Sequence, residues 1–224
     1  MPILASALFP SGINITYTEK LEDIEPDNLA LYDGIIVYAN HEERAPKQEQ
    51  AILDFVSNGN AFIPIHCASF CFIESPEYVD LVGGQFKSHG TGIFTAEITD
   101  KEHPIMQGLE EFSTWDETYV HHQLANDNTV LMERVDGDHR EPWTWVKQHG
   151  KGKIFYTAYG HDERTWNNPG FQELIKNGIL WAVSDPVKKN WEAFIKDVPT
   201  LTYKEMENIP NYEKRDPAPK YQLP

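Results

Sequence analysis

The chain has 224 residues, 40% of them hydrophobic and 12% aromatic, which suits one α/β domain of ordinary size with an appendage. Its 19 Lys and Arg stand against 35 Asp and Glu, a formal net charge of −16 that repels phosphate backbones and anionic lipid, so nucleic-acid partners and membrane insertion are not expected. No apolar run approaches the ~20 residues of a membrane span, the first residues lack the basic and apolar regions of a secretory signal, and Cys67 and Cys71 are too few for a disulfide framework, so a cytoplasmic location is expected.

In chain order, Ile13 to Thr18 and Gly34 to Ala39 read as β-like runs, the second so apolar that burial on both faces is predicted. Pro46 to Asn58 reads as a helix, with proline near its start, Gly59 past its end and a stripe of Ile52, Leu53, Phe55 and Val56. Ala61 to Ile65 is the next strand, and Pro76 to Val82 a short helix closed by Gly83-Gly84. This alternation predicts a parallel sheet.

The middle third is different. Ile93 to Ile98, Thr114 to His121, Thr129 to Arg134 and Trp143 to Lys147 are short, partly alternating runs, which predict antiparallel additions at the sheet edge. Lys153 to Tyr159 returns to a buried-strand pattern, and Asn168-Pro169 opens a closing helix that runs to about Val183. From Asp185 on, proline and charge dominate, and an extended strap or linker is predicted with one short helix near Trp191 to Ile195; Trp191, Phe194 and Tyr203 are its candidates for packing on the body.

Two apolar runs end in chemically competent residues, His66-Cys67-Ala-Ser69 and Gly160-His161-Asp162-Glu163-Arg164. Ligands of open α/β sheets bind outside the carboxyl ends of parallel strands, so both ends are expected at one crevice. A cysteine at a sharp strand-to-helix turn has a lowered pKa, and a His-x-Glu pair can orient a base, so Cys67, His161 and Glu163 form a candidate triad. The plainer alternative makes Cys67 a small buried filler.

A second constellation uses the imidazoles. His66, His89, His121, His122 and His161 are expected at strand ends or loops, where with Glu117 they can shape a polar pocket or hold a divalent metal such as zinc or manganese. His89 and His121 are the candidate metal ligands. No compact His-x-x-x-His spacing singles out a site. Aromatic rings beside such groups suit a carbohydrate, and Trp115, Tyr119 and Trp166, with Asp162 and Arg164, are the candidate substrate contacts.

The succession His66-Cys-Ala-Ser69, Leu81-Val-Gly-Gly-Gln-Phe-Lys-Ser-His89, His103-Pro-Ile-Met-Gln-Gly108, Trp115-Asp-Glu-Thr-Tyr119, Trp143-Thr-Trp-Val146, Gly150 to Asp162 and Asn177-Gly-Ile-Leu-Trp-Ala182 resembles the ThuA-like, trehalose-utilisation family. The resemblance implies a class I glutamine amidotransferase-like fold, a flavodoxin-like three-layer α/β/α sandwich with a mainly parallel sheet and antiparallel additions. It also implies one domain over 1–184, a Pro-rich, charged extension or linker over 185–224, and Cys67, His161 and Glu163 at the superfamily's nucleophile and His-x-Glu positions. Family members often lack the cysteine and the glutamate, which argues against glutaminase chemistry. They usually open with a buried strand before the helix that precedes Ile13, so that first strand is expected to be absent, and an exported location follows if the N-terminus is truncated. The tail resembles linkers of larger multidomain chains; a homo-oligomer is the other arrangement considered.

The expected function is carbohydrate catabolism on a small sugar or 3-keto-glycoside, by a hydrolase, isomerase or lyase with His161 as acid or base. His66, Cys67, Glu117 and Glu163 complete the candidate catalytic set. An amide hydrolase built on Cys67, His161 and Glu163 and a non-catalytic sugar-binding module are the alternatives.

Overall fold

The computed structural model describes residues 2–197. Its helices are α1 (Pro2–Leu8), α2 (Pro26–Leu29), α3 (Pro46–Ser57), α4 (Pro76–Val82), α5 (Glu163–Trp166), α6 (Pro169–Ala182) and α7 (Asp185–Asp197). The strands are β1 (Gly34–Val37), β2 (Ala61–Pro64), β3 (Gln85–Ile98), β4 (Ser113–His122), β5 (Thr129–Asp136), β6 (His139–His149) and β7 (Gly152–Thr157). None of these helices is long and apolar enough to cross a membrane.

Seven strands form one sheet in the order β1-β2-β7-β6-β5-β3-β4. The β1-β2 and β2-β7 pairs are parallel, and every later pair is antiparallel. Traced across the sheet, β1, β2, β7, β5 and β4 point one way and only β6 and β3 oppose them, so the sheet is mixed with most strands in one direction. Helices α1 and α6 lie together, α6 on β2 and β7, while α3 and α4 pack on β7 from the other side. This is the flavodoxin-like three-layer sandwich.

Local chemistry accounts for the helix ends. Ser75 and Asn168 cap α4 and α6 by accepting from the amides of Tyr78 and Gly170, and a proline follows each cap. The close seat of α6 depends on Gly178: a Cβ there would lie 2.4 Å from Phe155 Cδ1 of β7. Trp143, Trp145, Tyr156, Tyr159 and Phe155 fill the centre and are fully buried.

Three sequence expectations change. Ile13 to Thr18 is not a strand: the segment is irregular, and only Ile13 and Ile15 pack partly against the core. β1 is half-buried along its whole length rather than buried, because it is the end strand and its outer edge meets no strand among the described residues. Over Asp185–Asp197 the helix is longer than the short one expected near Trp191 to Ile195, and Trp191 fastens it by donating Nε1–H to the Ser11 carbonyl. Phe194 stays largely exposed, and Tyr203 lies outside the described residues.

The middle strands are longer than their apolar runs. β3 spans 14 residues, its first part Gln85–Thr95 pairing with β4 and only Ala96–Ile98 with β5. His89, expected in a loop, lies within this strand opposite Tyr119. The β3-β4 ribbon thereby brings the Trp115–Tyr119 segment to the carboxyl ends of β2 and β7.

Candidate functional site

At the end of β2 the chain turns sharply at His66, whose φ of 52° lies in the left-handed region that residues other than glycine uncommonly adopt. The elbow position therefore belongs to His66 and not, as the sequence suggested, to Cys67. A non-glycine residue held there stores roughly 1–3 kcal/mol of strain, which the surroundings must offset. They do so through two contacts. The ring lies on Tyr119, with centroids 4.1 Å apart, and its Nδ1–H donates to the Ala158 carbonyl at 2.7 Å.

From β4 comes Glu117. Strand alternation sends Trp115, Glu117 and Tyr119 to the side that faces His66, and Thr114 and Asp116 to the other. Glu117 Oε2 lies 3.2 Å from His66 Nε2, and Oε1 lies 3.2 Å from His161 Nδ1 and 3.6 Å from His89 Nδ1. His89 is on the Glu117 face because β3 pairs His89 with Tyr119 and Thr91 with Glu117, one diagonal step apart. The hydrogen bond from His66, with the charge of the neighbouring imidazoles, holds the Glu117 carboxyl below its ordinary range. Glu117 is mostly covered, whereas the His89 and His161 side chains are 39% and 38% exposed. The cluster is open to a ligand on the His89 and His161 side.

Asp116, which sequence reasoning passed over, organises this arrangement. It is fully buried, and its carboxylate accepts from the amides of Glu117, Gly160 and His161 and from the Thr165 hydroxyl. Gly160, at φ 136°, gives the chain the turn that aims two consecutive amides at one carboxylate. Among the described residues no Lys or Arg hydrogen-bonds Asp116 or Glu117. Tyr38, at the end of β1, donates to the His161 carbonyl at 3.1 Å. Its own hydroxyl pKa is pushed up to about 12 by burial, so it remains a donor.

The expected triad is not assembled. Glu163 is exposed in the first turn of α5, and the carboxylate beside His161 is Glu117. The Cys67 thiol is pushed up to about 12, chiefly by burial and further by Cys71 nearby, the reverse of an activated nucleophile. Its φ-strained neighbour, not the thiol, occupies the turn.

His121 is not a partner of His89 for a metal. Its Nδ1–H donates to Glu141 at 2.9 Å, its Nε2 faces the Tyr156 hydroxyl at 2.9 Å, and the side chain is completely covered. Burial pulls its pKa below 6.5 although Glu141 opposes the change, so it is a neutral ring with both nitrogens engaged. His122, one residue on, is exposed on the other face of β4.

The candidate substrate contacts divide. Tyr119 and Trp166 are buried, the first beneath His66 and the second donating Nε1–H to the Gly160 carbonyl, so neither offers a ring to a sugar. Asp162 caps α5 and pairs with Arg164, whose guanidinium lies 3.3 Å over the Trp115 ring. Trp115 is half-buried, with His161 5.8 Å away, and Arg164 is exposed at the rim. These two remain placed to meet a ligand. A separate hollow of about 350 Å³, lined by residues including Gln50, Asp54, Asp80 and His149, lies near the start of β7 and contains none of this chemistry.

The family described as ThuA, trehalose utilisation, has a sequence model that matches residues 2–182. Among solved structures, a protein from Bacteroides uniformis described as ThuA-like is 18% identical with a TM-score of 0.70, covering 82% of this chain and 82% of that one. A protein from Parabacteroides merdae with the same description is 20% identical with a TM-score of 0.65, over 81% and 83% of the two chains. A Salmonella typhimurium protein described as cytoplasmic is 15% identical with a TM-score of 0.59, over 82% and 87%. At such identities the likeness is one of fold. No curated protein matches the chain.

Proposed function

The chain belongs to the ThuA, trehalose-utilisation family, and from that premise we propose that it acts on a sugar or 3-keto-glycoside at the strand-end cluster, with His161 as acid and base. The observation that carries this reading is Glu117, a single carboxylate holding the buried His66 and the half-exposed His161 at 3.2 Å each.

A carbonyl at C3 of a sugar acidifies the hydrogen on C2. When a base takes that proton, the C–H electron pair moves into an enediolate with its negative charge on the carbonyl oxygen. Collapse of that pair expels the glycosidic oxygen from C1 and gives a lyase; return of a proton elsewhere gives an isomerase; addition of water to the eliminated product gives net hydrolysis. All three routes need one imidazole that both accepts and returns a proton. His161 suits this role because Glu117 faces Nδ1, sets the tautomer and stabilises the charged ring, while the exposed side of the ring meets substrate. Arg164 and the edge of Trp115 contribute the rim.

The test is exchange of the C2 proton of a 3-keto-glucoside with deuterated water, followed by NMR together with product formation. Wild-type protein is expected to exchange and turn over the compound, and His161→Ala to lose both. Absence of exchange and product with wild type, or unchanged exchange with His161→Ala, overturns the reading.

A further inference from the structure

We propose that His66 Nε2, the Glu117 carboxylate and His161 Nδ1 form a binding site for one first-row divalent cation, zinc being the probe of choice. The proposal rests on reading this cluster as the reacting centre, and it adds a component to it. It does not involve His121, which the sequence had paired with His89.

The three donor atoms lie within 4.8 Å of one another. An ion with bonds of about 2.0–2.2 Å draws such donors to within roughly 4 Å, so closure asks for side-chain shifts on the order of an ångström or less. Two neutral imidazoles and one carboxylate make a donor set of borderline softness, suited to zinc and its neighbours and not to magnesium or calcium, which prefer all-oxygen shells.

The hydrogen bonding of His66 points the same way. Its Nδ1–H is spent on the Ala158 carbonyl at 2.7 Å, so Nε2, 3.2 Å from Glu117 Oε2, holds that contact through a second ring proton, whose place a cation can take. A lone pair and a carboxylate oxygen repel each other unless something positive lies between them, either a second proton on the ring or a cation. A metal-bound histidine characteristically donates its other N–H to a backbone carbonyl, which is what Ala158 receives. His66 is 2% exposed and held at the strained elbow, so its donor is fixed before any ion arrives.

Charge balance adds a second, independent argument. Asp116 and Glu117 are consecutive carboxylates, the first fully buried, and no Lys or Arg among the described residues hydrogen-bonds either. The Arg164 guanidinium nearby is engaged by Asp162. A divalent ion supplies the missing positive charge. His89 Nδ1, 3.6 Å from Glu117 Oε1, borders the open side where a substrate oxygen reaches the ion.

The test uses the full chain, dialysed against a chelator and titrated with zinc or manganese chloride by calorimetry, with the visible spectrum of added cobalt as a second readout. One equivalent of zinc is expected to bind, to raise the melting temperature, and to give cobalt bands of a nitrogen- and oxygen-ligated ion. Glu117→Gln and His66→Gln are expected to weaken binding by more than about a hundredfold, since even partners that only orient ligands cost roughly ten- to a hundredfold. His122→Ala is expected to bind as wild type does. No binding of either ion to wild type, or undiminished binding to both site variants, overturns the proposal. Zinc binding without proton exchange on a 3-keto-glucoside would sink the substrate reading and leave the cation site standing. Exchange in chelated protein that binds neither zinc nor manganese would do the reverse.

Discussion

Two histidine-carboxylate clusters sit in this fold, and they differ in what they leave unused. Around Glu117, His66, His89 and His161 converge on one carboxylate, and two of the three rings reach solvent. Around Glu141, His121 and His139 also converge on one carboxylate, but it accepts from the His121 amide as well, and the second nitrogen of His121 is taken by Tyr156. The residue types are the same. The first cluster keeps unsatisfied bonding capacity on two rings around its shared carboxylate at an accessible face, while in the second His121 and Glu141 consume theirs inside the core and only the exposed His139 ring reaches solvent. Spare valence, not the presence of histidine, marks a site.

The sharpest way to break this contrast is to remove each carboxylate. Glu117→Gln is expected to lower 3-keto-glucoside turnover by roughly a hundred- to ten-thousandfold, or about 3–5 kcal/mol of barrier, with a melting temperature close to wild type. Comparable turnover in Glu117→Gln and wild type would remove Glu117 from the reacting centre. Asp116→Ala is expected to cost about 3 kcal/mol of stability in a denaturant titration, because three amides and a hydroxyl lose their acceptor in a buried place. Turnover should fall with it, since Asp116 positions both His161 and Glu117.

Glu141→Ala is expected to cost about 2 kcal/mol, while turnover per folded molecule stays within a few fold. A large loss of turnover in protein that remains folded would show that the second cluster feeds the first. A gentler version uses pH. His121 has a folded pKa below its unfolded 6.5, so the unfolded chain takes up the proton first; its stabilisation is present above pH 6.5 and is lost as pH falls below it. Glu117 and Glu141, both lowered from 4.5, contribute a second loss as pH drops through that lower range. In His121→Gln the first decline in melting temperature should shrink, leaving the part due to His103, whose burial lowers it too.

The smallest effect is expected from Cys67→Ala, with turnover within about threefold of wild type, because a thiol pushed up to about 12 is no nucleophile at neutral pH. Loss of activity in that variant would restore the thiol to the mechanism.

Much of the fold was legible because its signals are local. Ser75-Pro76 and Asn168-Pro169 announce helices α4 and α6 through capping and a fixed φ, and the apolar run at Ala61 announces a buried strand whatever surrounds it. Ile13 to Thr18 shows the limit of such signals. Its composition suits a strand, but a strand exists only where a neighbour supplies hydrogen bonds, and none does among the described residues. The same reason hid the length of β3, since its first half is polar and is held in place by pairing with β4.

For the site, the sequence by itself determined the ingredients: two strand ends carrying His66 and His161, a Trp-Asp-Glu-Thr-Tyr strand carrying Glu117, and a family resemblance that the match over residues 2–182 bears out. Only the tertiary structure decided how they combine. The β3-β4 register put His89 beside Glu117. The elbow at His66 set the thiol aside, and burial closed His121 into the core. Spacing along a chain reports which groups exist, whereas register, dihedral angle and burial, which depend on contacts between distant segments, decide which of their bonds remain free for chemistry.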